Sequence, residues 1–289
     1  MTSHVCPPWL RAAAFLAATL GLSSGLSAAD KEDKLTYPPK LKGGKEVVTI
    51  ESADLLKPTV KLLDGVKIPM TAPKVNVLYE PKQDYAGNPW SVWGDSLAVG
   101  GKYYSAIGDH KAPDGNAYVY EYDPATKNLK CIVELQEVIK LAEDHYRPGK
   151  IHSRLDMGKD GCLYFSTHRG STRITTDKYH YQGDWILKHD PESGKTDIVV
   201  RGPAGKQCIP TSVLDPERMI FYGGTAPGDY SDKRTGFFAY DVAGKKLLYS
   251  GPEGPARDMM LARSTGRVYY VAGNTDGQLM RYDPEKGGA

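Results

Sequence analysis

The 289-residue sequence predicts an all-β fold that is built from repeated antiparallel hairpins. Two observations support this prediction: a turn motif that recurs four times, and a strand-like run before each copy. The motif is a ring residue, then Asp and, in three copies, Pro. Its copies are Tyr122-Asp123-Pro124, His189-Asp190-Pro191, Tyr240-Asp241-Val242 and Tyr282-Asp283-Pro284. Asp at the first position and Pro at the second are typical of tight β-turns.

The spacing of the motif indicates how the hairpins are assembled. The four Asp residues are 67, 51 and 42 residues apart in turn. A propeller blade of four antiparallel strands takes about 40–50 residues. Two insertions explain the longer first interval: 136–150, which contains a helix-like segment over 137–142, and the loop 169–183. The sequence therefore predicts a β-propeller of four-stranded antiparallel blades, with four blades visible and the last one incomplete.

Strand-like runs can be assigned to each blade from their apolar or alternating character. The first blade is predicted at 91–99, 102–107, 117–122 and 129–135, and the second at 151–157, 162–168, 184–189 and 196–200. The third is predicted at 209–214, 218–223, 236–240 and 246–249, and the fourth at 258–262, 267–272 and 278–282. Two further runs, 46–51 and 74–80, precede the blades.

Residues 1–29 are predicted to be a signal peptide. Arg11 supplies the positive start, 12–22 the apolar run, and Ser27-Ala28-Ala29 a cleavage site. An uncleaved anchor is the alternative, but the uncharged stretch 12–29 is short for a span of roughly 20 apolar residues. We expect a periplasmic or secreted protein with no stable membrane span after cleavage. It would have a polar, extended segment over 30–74 and the propeller domain over 75–289.

The last blade lacks an outer strand in the sequence. Three explanations are open: a truncated gene product, a four-bladed ring in which 74–80 supplies the missing strand, or a half-propeller that pairs with another chain. Open blade edges would favour self-association.

Composition excludes some partners. Lys and Arg number 37 against 35 Asp and Glu, and no basic run with interleaved aromatic residues occurs, so we expect no nucleic-acid binding. The mature chain would keep Cys131, Cys162 and Cys208, without a CxxC motif. We expect small buried side chains and leave their pairing open.

The Tyr-Asp-Pro-x-x-Gly turn at the last hairpin of a blade resembles that of bacterial β-propellers of the YncE, NHL-like and streptogramin-lyase type. The resemblance covers 75–289. It implies a propeller scaffold with its function at one mouth of the central channel. In the streptogramin-lyase and oligogalacturonate-lyase propellers, a channel His acts as a base with a divalent metal nearby. His152 resembles that residue in its place on an inner strand.

Alignment of the repeats on their second strands collects polar residues around one opening. They are Asp95, His110, His152, His168, Arg257 and Asp258. Such a set suits an anionic or sugar-like ligand, a metal, or a His base, with His152 and His168 as the catalytic candidates. The loop 169–183 adds Arg169, Tyr179 and Tyr181, which suit saccharide binding. The alternatives are an ordinary polar channel lining and a solvated insertion.

We therefore expect an exported propeller that acts as a ligand-binding or protein-interaction scaffold, with a small-molecule or glycan ligand. The first alternative is a metal-assisted lyase or hydrolase on an anionic polysaccharide or lactone-like substrate, with a divalent metal as cofactor. The second is a degenerate propeller fragment without activity. No HExxH motif, Ser nucleophile elbow or phosphate loop is present, so the sequence leaves the enzyme question open.

Overall fold

A computed structural model describes residues 41–83, 90–110, 115–228 and 235–288. Within these ranges the chain forms twenty β-strands in six antiparallel sheets. It also forms one α-helix and four short 3-10 helices, Lys42–Gly44, Ala53–Leu56, Thr172–Ile174 and Asp177–Tyr179. The prediction of an all-β fold of antiparallel blades is confirmed. The predicted signal peptide, 1–29, lies outside the described residues.

A two-stranded sheet precedes the blades. Its strands are β1 (Val47–Glu51) and β2 (Lys74–Leu78). Val47 lies opposite Leu78, and both pack against the aromatic residues of the first blade. Because β2 pairs with β1, the suggestion that 74–80 completes the last blade is wrong.

The first blade contains β3 (Trp90–Val92), β4 (Leu97–Val99), β5 (Lys102–Asp109), β6 (Ala117–Asp123) and β7 (Asn128–Glu134). One strand is predicted over 91–99, but the structure has β3 and β4, and both pair with β5. The break falls at Gly94, where a β-carbon would lie 2.0 Å from the carbonyl oxygen of Ser153. The amide of Leu155 also donates to the carbonyl of Asp95 at 3.1 Å. The first and second blades are therefore in direct backbone contact at this break in the strand.

The helix α1 (Leu135–Ile139) leads into the second blade and ends at Lys140, which has a left-handed conformation. The strands that follow are β8 (Pro148–Lys150), β9 (Asp156–Met157), β10 (Leu163–Ser166), β11 (His168–Arg169), β12 (Trp185–Asp190) and β13 (Lys195–Arg201). The predicted strand over 151–157 is present only at its last two residues. Ser153 Oγ instead accepts from the amide of Ser166 at 2.9 Å and donates to its carbonyl at 3.1 Å. These side-chain bonds replace the backbone ladder there.

The third blade has four strands: β14 (Gln207–Asp215), β15 (Ile220–Pro227), β16 (Gly236–Asp241) and β17 (Lys246–Gly251). The fourth blade has β18 (Pro255–Ala262), β19 (Arg267–Ala272) and β20 (Leu279–Tyr282). In the described residues no strand pairs with the far side of β20. Over the described residues the last blade is incomplete, as predicted.

The core lies between successive sheets and is divided into four apolar clusters. One joins β1 and β2 to the first blade, and the next three join the first to the second, the second to the third, and the third to the fourth blade. Each sheet thus buries its face against the next one, which is how propeller blades pack.

The repeated Asp residues close their turns as predicted. In each copy a side-chain oxygen accepts from the backbone amide two residues later, at 2.9 to 3.1 Å. The acceptors are Asp123, Asp190, Asp241 and Asp283. A fifth turn of this type, at Asp215, accepts from the amides of Glu217 and Arg218 and joins β14 to β15.

The three predicted mature cysteines are free thiols. Cys162 and Cys208 are buried and Cys131 is half-buried, so the prediction of small packed side chains is confirmed. Within the described ranges, no helix has both the length and the apolar character needed to cross a bilayer.

Candidate functional site

One small cavity brings together residues from all four blades. Its volume is about 70 Å³. It is lined by Trp93, Asp95, His152, Arg154, Pro210, Thr211, Arg257 and Asp258. We call it the mouth cavity. Four of the predicted site residues, Asp95, His152, Arg257 and Asp258, line it together, because each lies in or just beside the first strand of its blade.

His152 is held in one tautomer. Its Nδ1 lies 2.8 Å from the carbonyl oxygen of Pro210. A carbonyl only accepts, so Nδ1 donates and the neutral ring carries its lone pair on Nε2. Burial lowers the pKa of His152, and the positive charges of Lys150 and Arg257 lower it further. The imidazole is therefore a neutral base at pH 7.

Lys150 is a buried cation beside Trp93, and it is absent from the residues predicted from the sequence. Its Nζ lies 2.6 Å from Nδ1 of His110 and 4.6 Å from the centroid of the Trp93 ring. Within the described ranges no carboxylate is close enough to form an ion pair with it. Burial, followed by the charge of Arg169, lowers the pKa of Lys150 to about 8. The signal in the sequence is a lysine two residues before His152, directly before the predicted strand 151–157.

Trp93 connects these groups. The His110 ring stacks on it at 4.2 Å, and the His152 ring lies 6.1 Å away at an angle of 26°. The indole Nε1 is buried and has no hydrogen-bond partner among the described residues. Such an unsatisfied buried donor is uncommon in folded proteins. His110, predicted to bind ligand, instead holds Lys150 and Trp93.

His168 and Arg169 do not reach the opening, which corrects their predicted position. Each is 4% exposed. The register of β11 against β8 shifts between the two residues, and His168 lies opposite Lys150. The Nη1 of Arg169 lies 2.5 Å from Cys208 Sγ and 3.3 Å from the carbonyl oxygen of Pro227. Burial lowers the pKa of His168 well below its usual value, so its ring is neutral behind His152.

The two tyrosines of the long loop also differ from their predicted role. Tyr181 is 3% exposed and packs edge-on against Tyr146, with the ring centroids 4.7 Å apart. Tyr179 packs partly against the same core, and its carbonyl accepts from the amide of Tyr146 at 2.7 Å. Apolar burial between the first two blades therefore holds these rings, and neither lines the mouth cavity.

A buried carboxylate anchors the same region. Asp184 accepts from the hydroxyl of Tyr146 at 2.8 Å and from that of Thr167 at 2.6 Å. Burial raises the pKa of Asp184 to about 6. Its second oxygen has no partner in the structure. This arrangement attaches the start of β12 to the segment before β8.

The donor set does not fit a divalent metal. Among the described residues, no group of three or more His, Cys, Asp or Glu side chains is placed to hold one. Nδ1 of His152 and Nδ1 of His168 are both directed at backbone carbonyls, at 2.8 and 3.0 Å. We derive no step through a metal.

No protein-family model matches the chain, and no curated protein matches it. Among solved structures it is similar to the Dos1 propeller at 12% identity and a TM-score of 0.43, over 71% of this chain and 46% of that one. The β-propeller domain of the trilobed protease from Pyrococcus furiosus matches at 10% identity and 0.38, over 67% and 52%. Oligogalacturonate lyase in complex with manganese matches at 9% identity and 0.34, over 73% and 69%. The chain spans about half the length of the first two. The order of its sheets and the packing of each blade against the next make the chain a β-propeller.

Proposed function

We propose that this chain is an exported propeller that binds an acidic saccharide, with an acid group of the ligand held in the mouth cavity. The observation that carries the proposal is Lys150, a buried ammonium without a carboxylate partner in the described residues. Burying an unpaired charge costs several kcal/mol, and an anion beside it offsets that cost. Trp93 lines the mouth cavity, and its ring centroid lies 4.6 Å from Lys150 Nζ, so the ammonium lies next to the cavity wall.

The size and rim of the cavity support a saccharide whose acid group enters first. A volume of about 70 Å³ is well below the roughly 300 Å³ at the lower end of ligand pockets. That volume suits a carboxylate or sulfate group and is too small for a sugar ring. The exposed side chains of Asp95, Arg257 and Asp258 stand around it. Mixed donors and acceptors of this kind suit the hydroxyl groups of a sugar.

Export rests on the predicted signal peptide and stays a prediction, as does a periplasmic or secreted location. The finer resemblance to YncE, NHL-like and streptogramin-lyase propellers rests on the Tyr-Asp-Pro turns and also stays a prediction. The alternative is a degenerate propeller fragment without activity, and it would be favoured if the purified protein bound no sugar.

Calorimetric titration with galacturonate and galactose tests the proposal, since the two sugars differ in one carboxylate. We expect galacturonate to bind at least tenfold more tightly at pH 7. A charge-assisted hydrogen bond contributes about 1.5–3 kcal/mol, which corresponds to roughly tenfold or more. The pKa of Lys150 is about 8, so its positive charge is present at pH 7 and lost as the pH rises. Galacturonate affinity should therefore fall about tenfold between pH 7 and pH 9.5. Equal affinity for the two sugars would contradict the proposal.

A second candidate, a lyase on an acidic polysaccharide, is favoured by the tautomer of His152. Its neutral Nε2 would take the proton from the carbon beside the carboxylate. A carbon–carbon double bond would form as the C–O bond to the neighbouring sugar breaks, and the leaving oxygen would take a proton from water. Lys150 would stabilise the negative charge that develops on the carboxylate.

His152→Ala tests this second candidate. Incubation of the protein with polygalacturonate should produce new unsaturated chain ends, measured by ultraviolet absorbance. The variant should lose at least about 100-fold in rate, the usual contribution of a general base. His180→Ala, at an exposed histidine of the long loop, is the control and should keep the wild-type rate. If the wild-type protein forms no unsaturated product, the lyase candidate is excluded and the binding function remains.

A further inference from the structure

A second cavity, of about 270 Å³, adjoins the mouth cavity. Arg154 lines both of them. Its Nε lies 3.9 Å from a carboxylate oxygen of Asp95, which lines the mouth cavity. It lies 3.8 Å from an oxygen of Asp156, which lines the second cavity. The two cavities are therefore neighbours that share one cation.

Arg154 is loosely held. Charge-assisted hydrogen bonds between guanidinium and carboxylate groups have lengths of about 2.7–2.9 Å. Both of its contacts are about 1 Å longer, and its side chain is 44% exposed. Asp156 is instead directed at the amide of Leu214, at 2.9 Å. Arg154 is thus able to turn toward an acid group of a ligand in either cavity without breaking a short bond.

The second cavity combines apolar side chains with another arginine. Met259, Met260 and Leu261 of β18 line one side, and the exposed Arg263 follows β18. Met260 is 66% exposed, so its side chain is accessible to a ligand. The C–H face of a sugar ring packs on apolar side chains, while a guanidinium pairs with its carboxylate. A volume of about 270 Å³ is close to the lower end of ligand pockets, roughly 300 Å³, and has room for one ring.

We propose that the second cavity binds the next acidic sugar of the ligand, with Arg154 and Arg263 as its acid-binding residues. The inference rests on the proposed function, because the first acid group must occupy the mouth cavity. It specifies the ligand class as an acidic oligosaccharide of at least two units. Arg154, between the two subsites, contacts both acid groups in turn or bridges them.

The test is calorimetric titration with galacturonate, digalacturonate and trigalacturonate. For the wild-type protein we expect digalacturonate to bind at least tenfold more tightly than galacturonate. Arg263→Gln should lose that gain and keep galacturonate affinity within about twofold, since a bidentate guanidinium–carboxylate pair accounts for about tenfold. Arg281→Gln, at an exposed arginine of β20, is the matched control and should bind all three as the wild type does.

Met260→Glu is a second variant that tests the same cavity by repulsion. Its exposed position leaves folding undisturbed, and a carboxylate there should also abolish the gain with length. The second subsite would be overturned if the wild type bound digalacturonate no more tightly than galacturonate. It would also be overturned if both variants kept the wild-type preference for digalacturonate. In either case the proposed function would stand. A wild-type protein that binds none of the three sugars would overturn both.

Discussion

Lys150→Met is expected to weaken galacturonate binding at least tenfold and, in the same protein, to raise the free energy of unfolding at pH 7. The loss of affinity follows because the variant removes the buried cation that lies against Trp93, a residue of the mouth cavity wall. The gain in stability follows because the folded state no longer buries an unpaired ammonium. A merely structural lysine would give no loss of affinity.

The size and pH dependence of the stability gain follow from the pKa of Lys150. Burial lowers it from 10.5 to about 8, which corresponds to a penalty of about 3 kcal/mol against the charged form in the folded protein. A lowered lysine pKa means that this penalty is complete below pH 8 and decreases as the pH rises toward 10.5. Loss of the hydrogen bond to His110 opposes the gain. We expect a net gain of about 1–2 kcal/mol at pH 7, which disappears near pH 10.

Urea unfolding at pH 7 and pH 10, together with titration of galacturonate, measures both effects. Lys159→Met is the matched control, because Lys159 is exposed and its amine donates to the backbone carbonyl of Glu217. The control should change neither affinity nor the pH dependence of stability. Unchanged galacturonate affinity in Lys150→Met would show that the buried amine does not face the ligand.

Phe237→Ala is expected to lower the free energy of unfolding by about 3–5 kcal/mol, the usual cost of removing a buried aromatic ring. Phe237 is 1% exposed. Its ring lies 4.9 Å from that of Tyr270 and 5.5 Å from that of Tyr282, which belong to the fourth blade. It also stacks with Tyr222 at 6.2 Å. Phe237 is therefore a central ring of the cluster that attaches the three-stranded last blade to the third.

Urea unfolding followed by tyrosine fluorescence measures this effect. Tyr103→Ala, at a ring of the first blade that is 36% exposed, is the control and should cost less than about 1 kcal/mol. Because the apolar clusters join each blade to the next one, we expect Phe237→Ala to separate an early transition of the last blade from the rest. A loss below about 1 kcal/mol would mean that the aromatic cluster between these blades contributes little.

The fold was predictable because its signals are local. The turns at Asp123, Asp190, Asp241 and Asp283 need only an acid whose side chain reaches the amide two residues ahead. The strands next to those turns alternate or run apolar, so their positions follow from the sequence within a few residues. The exceptions, at 91–99 and 151–157, are the segments where the first two blades approach each other most closely. The residues of these two segments give no indication in the sequence that the two blades approach each other there.

The site was predictable only in part. Asp95, His152, Arg257 and Asp258 could be collected by aligning repeats, because equivalent positions on repeated strands meet around one axis. His168 and Arg169 were misplaced because the register shift in β11 changes which way side chains point. Tyr181 was misplaced because a loop that packs under its own residues looks, in sequence, like one that is solvated.

The sequence by itself determined the all-β class, the repeated blades and the turns, since these depend on residues within one hairpin. The tertiary structure alone decided that Lys150 is a buried cation without a carboxylate partner in the described residues, that Trp93 keeps a free donor, and that Arg154 joins two cavities. Each of these properties depends on which side chains from other blades surround a residue. Burial, charge pairing and cavity shape depend on neighbours that are distant in the sequence, so they cannot be predicted from the residues of one hairpin.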